Sequence, residues 1–475
     1  MTTSARVYYG AIINPVDLRH FDALPRALIG VTSDGEIAWL EKDVEDHQVQ
    51  DLLAKHSWSD VELFALDKWD WLMPGFIDTH THACQFPNIG IGQQYQLLDW
   101  LENVTFPTEA KFADTAYAKQ IYPSVLTRLI SNGTTTCCYY ASLHLESTKI
   151  LADIAHASGQ RAYIGKCNMD RESPPTYIES SPEQSVADTE ALIKYIRSLP
   201  TTLVHPIITP RFAISCTSLL LHQLGALAAK DPTVPIQTHI SENLAEIAFT
   251  KSLFKDCETY ADVYDSHGLL KHNTILAHAV HLEPREIELI KTRNAGISHC
   301  PTSNLNLSSG SVKVGEMLDK GIKVGLGTDC SGGFAASILT VVQHASIMSK
   351  VVSFEARGKV NSTASKSDST FADKPLPVAT LLYLATVGGA RVCNLQDTVG
   401  SFEVGKSFDA LRISLNPRTK NPGISAYEDP SGFKGADSEK LLRERLEKFL
   451  FCGDDRNIAE VWVAGRLIGG QNFSG

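Results

Sequence analysis

Two histidines separated by one residue end an apolar segment, in Asp78-Thr79-His80-Thr81-His82. Alternate residues of a β-strand lie on the same face, so the His80 and His82 imidazoles are expected to point the same way. A Pro74-Gly75 turn precedes the segment. The spacing predicts a pair of metal ligands at the carboxyl end of a strand, rather than two unrelated histidines of the surface or core.

Three more metal-binding side chains, His239, His278 and Asp329, each end an apolar segment further along the chain. One such histidine alone is usually a buried core residue, but strand ends that meet on one face of a barrel favour a shared site. Imidazole and carboxylate ligands suit Zn²⁺, which lowers the pKa of a bound water to about 7. The residues therefore indicate metal-assisted hydrolysis, with Asp329 placed to take a proton from the water.

Three polar residues near these strand ends are candidates for further roles. Glu242 lies three residues after His239 and is positioned to carry a proton to a leaving amine. The alternative, which the sequence supports equally, is an acidic residue at a helix amino terminus that is stabilised by the helix dipole. The Arg211 guanidinium matches paired acceptors such as O6 and N7 of a guanine edge, and Gln85 offers both a donor and an acceptor. A salt bridge or loop hydrogen bond at the barrel rim is the alternative for each of these two.

The elements that must position these residues alternate between short apolar strands and longer helical segments from about residue 73 to 330. The eight predicted strands end near His82, Tyr140, Asn168, Phe212, His239, His278, His299 and Asp329. The predicted helices include residues 116–132, 183–198, 218–230 and 283–293. This alternation is typical of α/β proteins with a parallel sheet, and eight such units favour a closed (β/α)8 TIM-type barrel.

Both chain ends differ from this central body because short strands and turns dominate them. A turn at residues 33–36 and a hairpin at Ala464-Gly465 are examples. We expect the two ends to form one small β-sandwich domain, which divides the chain into residues 1–72, a catalytic barrel at 73–390, and residues 391–475. The polar residues 354–375 are expected to form a surface loop. Residues 86–100 are expected to form a loop after the first strand that is positioned as a lid over the substrate.

The number of metal ions follows from the position of Lys166. Barrel hydrolases with two metals use a bridging modified lysine that ends the fourth strand, whereas Lys166 lies on the third predicted strand. The fourth ends at Arg211-Phe212 without a lysine. We therefore expect one metal ion per chain.

Composition excludes several other classes. Among 475 residues, 43% are hydrophobic and 20% charged, a globular balance, and the net charge of −11 speaks against a nucleic-acid partner. There is no apolar run long enough to span a membrane, and residues 1–15 do not resemble a signal peptide. Ten cysteines without framework spacing are typical of reduced thiols, so we expect a cytoplasmic protein.

The motifs also resemble those of a known family. Residues 73–82 resemble the first-strand motif of the amidohydrolase superfamily, and further segments resemble the eukaryotic guanine deaminases within it. The more specific of these are Thr105-Phe106-Pro107-Thr108-Glu109 and Gly453-Asp454-Asp455-Arg456-Asn457, with Thr209-Pro210-Arg211-Phe212, His239-Ile240-Ser241-Glu242 and His299-Cys300-Pro301-Thr302-Ser303-Asn304 beside them. The resemblance covers nearly the whole chain.

The resemblance implies guanine as the substrate, hydrolysed to xanthine and ammonia, one Zn²⁺ per chain, and a homodimer. Roles carry over by matching position. The implied zinc ligands are His80, His82, His239 and Asp329; the implied catalytic residues are Glu242, His278 and Asp329; and the implied substrate-binding residues are His82, Gln85, Arg211, Phe212, His239 and Asp329.

Three alternatives remain open at the level of sequence. A related hydrolase acting on an 8-oxopurine, a pterin or a triazine is distinguished by a substrate panel. A barrel that has lost catalysis and serves as a scaffold is disfavoured because the metal-binding residues are all present. A zinc deaminase acting on nucleic acid is disfavoured because its H-x-E and P-C-x-x-C signature is absent.

Overall fold

The computed structural model describes residues 4–358, 369–425 and 437–473. In chain order its strands are β1 (Arg6–Pro15), β2 (Phe21–Val31), β3 (Ile37–Lys42), β4 (Glu62–Ala65), β5 (Asp70–Pro74), β6 (Phe76–His82), β7 (Thr134–Tyr140), β8 (Arg161–Gly165), β9 (Cys167–Asn168), β10 (Val204–Pro206), β11 (Thr209–Pro210), β12 (Ile236–Ile240), β13 (Thr274–His278), β14 (Gly296–His299), β15 (Lys323–Leu326), β16 (Ala410–Ser414), β17 (Ile458–Val463) and β18 (Arg466–Gly469).

The helices occupy mainly the central part of the chain. In chain order they are α1 (Val49–Lys55), α2 (Leu97–Trp100), α3 (Phe106–Glu109), α4 (Thr115–Ser131), α5 (Leu145–Ser158), α6 (Pro182–Ser198), α7 (Ser218–Lys230), α8 (Leu244–Leu253), α9 (Tyr260–Ser266), α10 (Pro284–Arg293), α11 (Pro301–Asn306), α12 (Val314–Asp319), α13 (Ile338–Gly358), α14 (Val378–Tyr383), α15 (Gly389–Val392), α16 (Pro422–Ser425) and α17 (Ser438–Cys452). A π-helical turn, Leu101–Thr105, joins α2 to α3.

Both chain ends contribute to one eight-stranded sheet. The strand order is β18-β17-β16-β5-β1-β2-β3, with β4 also paired to β1. The β17–β18 hairpin turns at Ala464 and Gly465, whose φ angles of 46° and 70° give the left-handed backbone that two-residue hairpins need. The structure shows a single sheet here and not two facing sheets, so the sandwich stays a prediction.

The central body is built from parallel strands. One four-stranded sheet has the order β10-β8-β7-β6, a second has β12-β13-β14-β15, and β11 pairs with β9. Helices separate most consecutive strands of the body, in agreement with the predicted mixed α/β fold. Six of the eight predicted strands are continuous, but the third and fourth are each interrupted, into β8 with β9 and β10 with β11.

Backbone contacts connect the two parallel sheets on both sides. Ile208 bridges Ile236 in parallel, and the Asp329 N–H donates to the His80 carbonyl at 2.8 Å. The described strands do not form one continuous ring of ladders. The closed barrel therefore stays a prediction, while the parallel α/β body is confirmed.

Side-chain caps explain where the predicted helices begin. Ser181 accepts from the Gln184 N–H at the start of α6, and Thr217 accepts from the Leu220 N–H at the start of α7. Ser and Thr are favoured at this position because their oxygens bond N–H groups that the first helical turn leaves free. All four predicted helices, at 116–132, 183–198, 218–230 and 283–293, are present within two residues of the expected bounds.

Two predicted loops are partly helical. The α13 helix continues to Gly358, so residues 354–358 of the predicted loop 354–375 are helical, because the chain continues with good helix formers. Residues 359–368 lie outside the described residues, and 369–375 form turns. In the predicted lid 86–100, α2 begins at Leu97. Within the described part of the chain, the structure contains no helix with the length and apolar character needed to cross a membrane.

Candidate metal centre and substrate pocket

The strand ends of the parallel body bring the predicted metal ligands together. His80 and His82 lie on β6, His239 on β12, and Asp329 lies three residues beyond β15. One ligand atom from each of the four lies within 4.8 Å of the others. His80 Nε2 is 3.0 Å and His82 Nε2 is 3.4 Å from Asp329 Oδ1, and His82 Nε2 is 3.1 Å from His239 Nε2.

The donor atoms of this group fit a divalent metal ion. His80 Nε2 is buried and lies against the Asp329 carboxylate without the geometry of a hydrogen bond. His239 Nδ1 donates to the Arg211 carbonyl at 2.5 Å, which leaves Nε2 as a free acceptor facing the group. Burial lowers the pKa of His80, His82 and His239, and neutral imidazole is the form that binds metal. Three neutral imidazoles and one carboxylate are a ligand set that zinc accepts.

Asp78 fixes the two strands that carry this group. Its carboxylate accepts the His80 N–H at 3.2 Å, the Thr328 N–H at 3.0 Å and the Thr328 hydroxyl at 2.5 Å. These bonds tie β6 to the residue before Asp329. The Asp329 side chain is therefore held beside the two histidines of β6.

A second cluster, formed by Glu242, His278, Asn304 and Ser309, lies beside the metal-binding group. The Ser309 hydroxyl donates to Glu242 Oε1 at 3.1 Å, and Glu242 Oε2 is 3.5 Å from His278 Nε2. His278 Nδ1 donates to Asn304 Oδ1 at 2.8 Å. The structure thus brings Glu242 and His278 together, with Nε2 of His278 turned towards Glu242 and Asp329.

The protonation of this second cluster follows from burial and charge. Burial raises the pKa of Glu242 to about 7. Burial alone would lower the pKa of His278, but the carboxylates of Glu242 and Asp329 outweigh it, and the pKa is raised. A carboxyl group that titrates near neutral pH can both accept and release a proton during a reaction.

Strained backbone accompanies the site. Ser241, His278 and Asp329 have φ angles of 48°, 73° and 44°, in the left-handed region that residues other than glycine rarely adopt. Such conformations persist where surrounding structure enforces them, and they cluster at functional sites. All three are at or just beyond strand ends, and the side chains of His278 and Asp329 line the cleft there.

A cleft of about 380 Å³ opens in front of both clusters. The predicted substrate residues Gln85, Arg211 and Phe212 line it together with His82, His239, Glu242, His278 and Asp329. Its apolar walls come from Leu97, Trp100, Leu101 and Leu307. A cleft that combines apolar walls with several polar side chains at one end suits a small ligand that carries its own polar groups.

Sequence reasoning missed Glu109, Asn304 and Ser309 as functional residues. Glu109 is fully buried behind the cleft, and its carboxylate accepts from Gln85 Nε2 at 2.8 Å and from Arg211 Nη1 at 2.6 Å. Glu109 and Asn304 stand in motifs that resemble the guanine deaminases, so the signal was present without a role attached. Nothing in the sequence around Ser309 marked it.

Lys166, the candidate for a bridging lysine, is engaged elsewhere. Its Nζ bonds Glu179 and also donates to the Cys167 carbonyl at 3.1 Å. Within the described residues, the His80, His82, His239 and Asp329 group is the one cluster suited to a metal ion. Lys166 is not part of it.

Comparison with known proteins agrees with this site. Residues 71–468 match the model of the amidohydrolase family. The parallel α/β body, the His/Asp group at its strand ends and this match together define the class, and the chain belongs to the amidohydrolase family.

Individual relatives within this family are guanine deaminases. The chain is 45% identical to a probable guanine deaminase of Schizosaccharomyces pombe, over 98% of this chain and 83% of that protein. It is 40% identical to the guanine deaminase of Dictyostelium discoideum, over 98% of each. The crystal structure of guanine deaminase from C. acetobutylicum, with guanine bound in the active site, superposes with a TM-score of 0.84 at 37% identity, covering 98% of this chain and 100% of that one.

Proposed function

We propose that this protein is a guanine deaminase, which hydrolyses guanine to xanthine and ammonia. The observation that carries the proposal is that a donor-only Arg211 lines the same cleft as the metal-binding group and Glu242. Guanine presents acceptors at O6 and N7, and a guanidinium group offers donors to both. The named relatives, at 37–45% identity over nearly the full chain, support the same substrate.

We propose one Zn²⁺ per chain, held by His80, His82, His239 and Asp329. When bound, zinc supplies Lewis acidity and lowers the pKa of water to about 7. The ligand types support zinc, and the engagement of Lys166 with Glu179 supports a single ion. Members of this family bind a metal such as zinc, which agrees with the ligand set.

Substrate binding is assigned to the cleft walls and to three polar or aromatic residues. Arg211 donates to the O6 and N7 edge of guanine, and Gln85 bonds the same side of the ring. Phe212 and the apolar wall residues pack against the flat purine. His82, His239 and Asp329 line the same cleft. We place C2 of the substrate on their side, beside the reacting water.

Glu242 is assigned the proton transfers of the reaction. It accepts a proton from the attacking water and delivers it to N3, which makes C2 more electrophilic. His278 stabilises the oxygen that adds to C2, and Asp329 takes the second proton. Glu242, deprotonated again after the transfer to N3, relays the second proton from Asp329 to the amino group, and ammonia leaves as the C2–N bond breaks and C2 becomes a carbonyl carbon.

We propose that the two parallel sheets close into a (β/α)8 barrel, with boundaries at 1–72, 73–390 and 391–475, and that a β-sandwich forms from both ends; the bridge at Ile208 and the bond from Asp329 to His80 support closure. A homodimer and a role in purine catabolism or salvage rest on the family resemblance. A cytoplasmic location rests on the ten free cysteines.

A substrate panel tests the proposal. The zinc-loaded protein is incubated separately with guanine, adenine, cytosine, an 8-oxopurine, a pterin and a triazine, and ammonia release is measured for each. We expect guanine to be the preferred substrate and to yield xanthine. Preference for one of the other compounds would assign the site to a different amidohydrolase activity, and no release from any would favour a scaffold.

A further inference from the structure

A buried carboxylate that does not line the cleft connects two residues that do. Glu109 ends α3 and is fully buried, whereas Gln85 and Arg211 come from the ends of two different strands and both line the cleft. We propose that Glu109 is a positioning residue that sets selectivity for purines with an oxygen at C6. This inference rests on the proposed function, because it names the residue that orients the groups that read the substrate.

The carboxylate divides its two oxygens between the two side chains. Oε1 accepts from Gln85 Nε2 at 2.8 Å, and Oε2 accepts from Arg211 Nη1 at 2.6 Å. Simple neutralisation of the buried Arg211 would need only the second contact. The first contact fixes Gln85 relative to Arg211, so one carboxylate sets the geometry of both.

Glu109 also determines which way the Gln85 amide faces. An ionised carboxylate only accepts hydrogen bonds, so the atom of Gln85 that faces it must be the nitrogen. The Ser331 N–H lies 3.3 Å from Gln85 Oε1 and favours the same orientation from the other side. The amide therefore has one orientation in the cleft and not two.

Arg211 is held in the same way. Its Nη1 is committed to Glu109, and its guanidinium carbon lies 5.1 Å from the centre of the Phe106 ring, one turn before Glu109 on α3. Burial alone would lower the pKa of Arg211, but Glu109 outweighs it and the pKa is raised, so the group stays charged. Among the described residues, its remaining N–H groups have no hydrogen-bond partner and are left for the ligand.

The consequence is selectivity between purine classes. The fixed Arg211 guanidinium only donates hydrogen bonds, so it can bond an oxygen at C6. It cannot bond an amino group there, because two donors do not pair. Sites built to hydrogen-bond one substrate group discriminate strongly against analogues that lack it, because their own buried groups are then unpaired. We expect much of this discrimination to be lost when Arg211 and Gln85 are free to rotate.

The test compares binding of hypoxanthine, which has O6, with binding of unsubstituted purine, which lacks it. Neither has an amino group at C2, so calorimetry on the zinc-loaded protein measures recognition without turnover. The binding ratio is the dissociation constant for purine divided by that for hypoxanthine. In Glu109→Gln we expect this ratio to fall at least about tenfold, and kcat/KM for guanine to fall with it. If the glutamine variant does not fold, Glu109→Asp tests the same role, because it keeps the charge and shortens the side chain by one methylene. We expect its binding ratio to lie between those of the wild type and of a complete loss of selectivity.

Glu179→Gln is the matched control, because Glu179 pairs with the buried Lys166 outside the cleft. We expect it to lower the melting temperature and to leave the binding ratio unchanged. An unchanged ratio in folded Glu109 variants, or equal loss in Glu179→Gln, would overturn the positioning role. Failure of the wild-type protein to release ammonia from guanine would instead overturn the proposed function, and the binding ratio would still decide the role of Glu109.

Discussion

Replacing Glu242 with glutamine removes the proton carrier while preserving its shape. The amide keeps an oxygen for the Ser309 hydroxyl, which lies 3.1 Å from Oε1, so we expect the side chain to stay in place. Glu242 is 2% exposed, so bulk water has little access to replace it as a proton carrier. General acid–base catalysis contributes about 100- to 10,000-fold, and we expect a loss in the middle of that range, about 1,000-fold in kcat or near 4 kcal/mol.

The assay for this variant is xanthine formation from guanine followed by absorbance, with metal content and guanine binding measured on the same preparation. We expect normal metal content and a dissociation constant within about threefold of wild type, because the substrate contacts are untouched. Glu286→Gln is the matched control: Glu286 is also a buried glutamate, but it accepts N–H groups of Ala261 and Glu283 outside the cleft. A kcat for Glu242→Gln within about threefold of wild type would refute its assignment as proton carrier.

Three further predictions concern the metal, stability and pH. Removal of metal with a chelator should abolish ammonia release and lower the melting temperature, and added Zn²⁺ should restore both, while activity that survives complete removal would exclude metal assistance. Asp409→Asn should lower the free energy of unfolding by about 3 to 5 kcal/mol in denaturant titrations, because it leaves the buried Arg161, now 3.0 Å from Asp409, without its charge partner; a change below about 1 kcal/mol would contradict this. Burial lowers the pKa of His299 to about 3. Below about pH 6.5 the unfolded chain binds a proton at this histidine and the folded protein does not. The free energy of unfolding therefore decreases as the pH falls from 6.5 towards 3. His299→Gln should therefore reduce the slope of unfolding free energy against pH between 4 and 6 by up to about 1.4 kcal/mol per pH unit, and an unchanged slope would refute this.

The sequence predicts the strand ends well where a polar ligand directly follows an apolar run. His82, His278 and His299 each end a strand in the structure as expected. The change from an apolar strand to a metal-binding or polar side chain is a local signal, so it can be seen without tertiary information. The convergence of His80, His82, His239 and Asp329 then follows from the parallel arrangement.

The third and fourth strands could not be predicted in detail. Lys166 interrupts the third strand between β8 and β9, and its charge is satisfied by Glu179, which lies 13 residues later on a turn-rich segment. A buried ion pair of this kind depends on which segments meet in three dimensions. The residues adjacent to Lys166 in the sequence therefore do not indicate its partner.

Glu109 was missed for a related reason. A single glutamate in a helical segment is normally a solvated surface residue, and only the fold reveals that it is fully buried against Arg211 and Gln85. The helix starting at Leu97, by contrast, is indicated by the spacing of its apolar residues. Leu97, Trp100 and Leu101 have the three- and four-residue spacing of one helix face, and they form the wall of the cleft.

The most direct test of the central claim pairs metal analysis with a guanine assay on one preparation of the purified protein. We expect about one zinc per chain and stoichiometric conversion of guanine to xanthine and ammonia. A zinc-loaded, folded protein that forms no xanthine would contradict the proposed reaction, and a metal content above about 1.5 per chain would contradict the single-ion site.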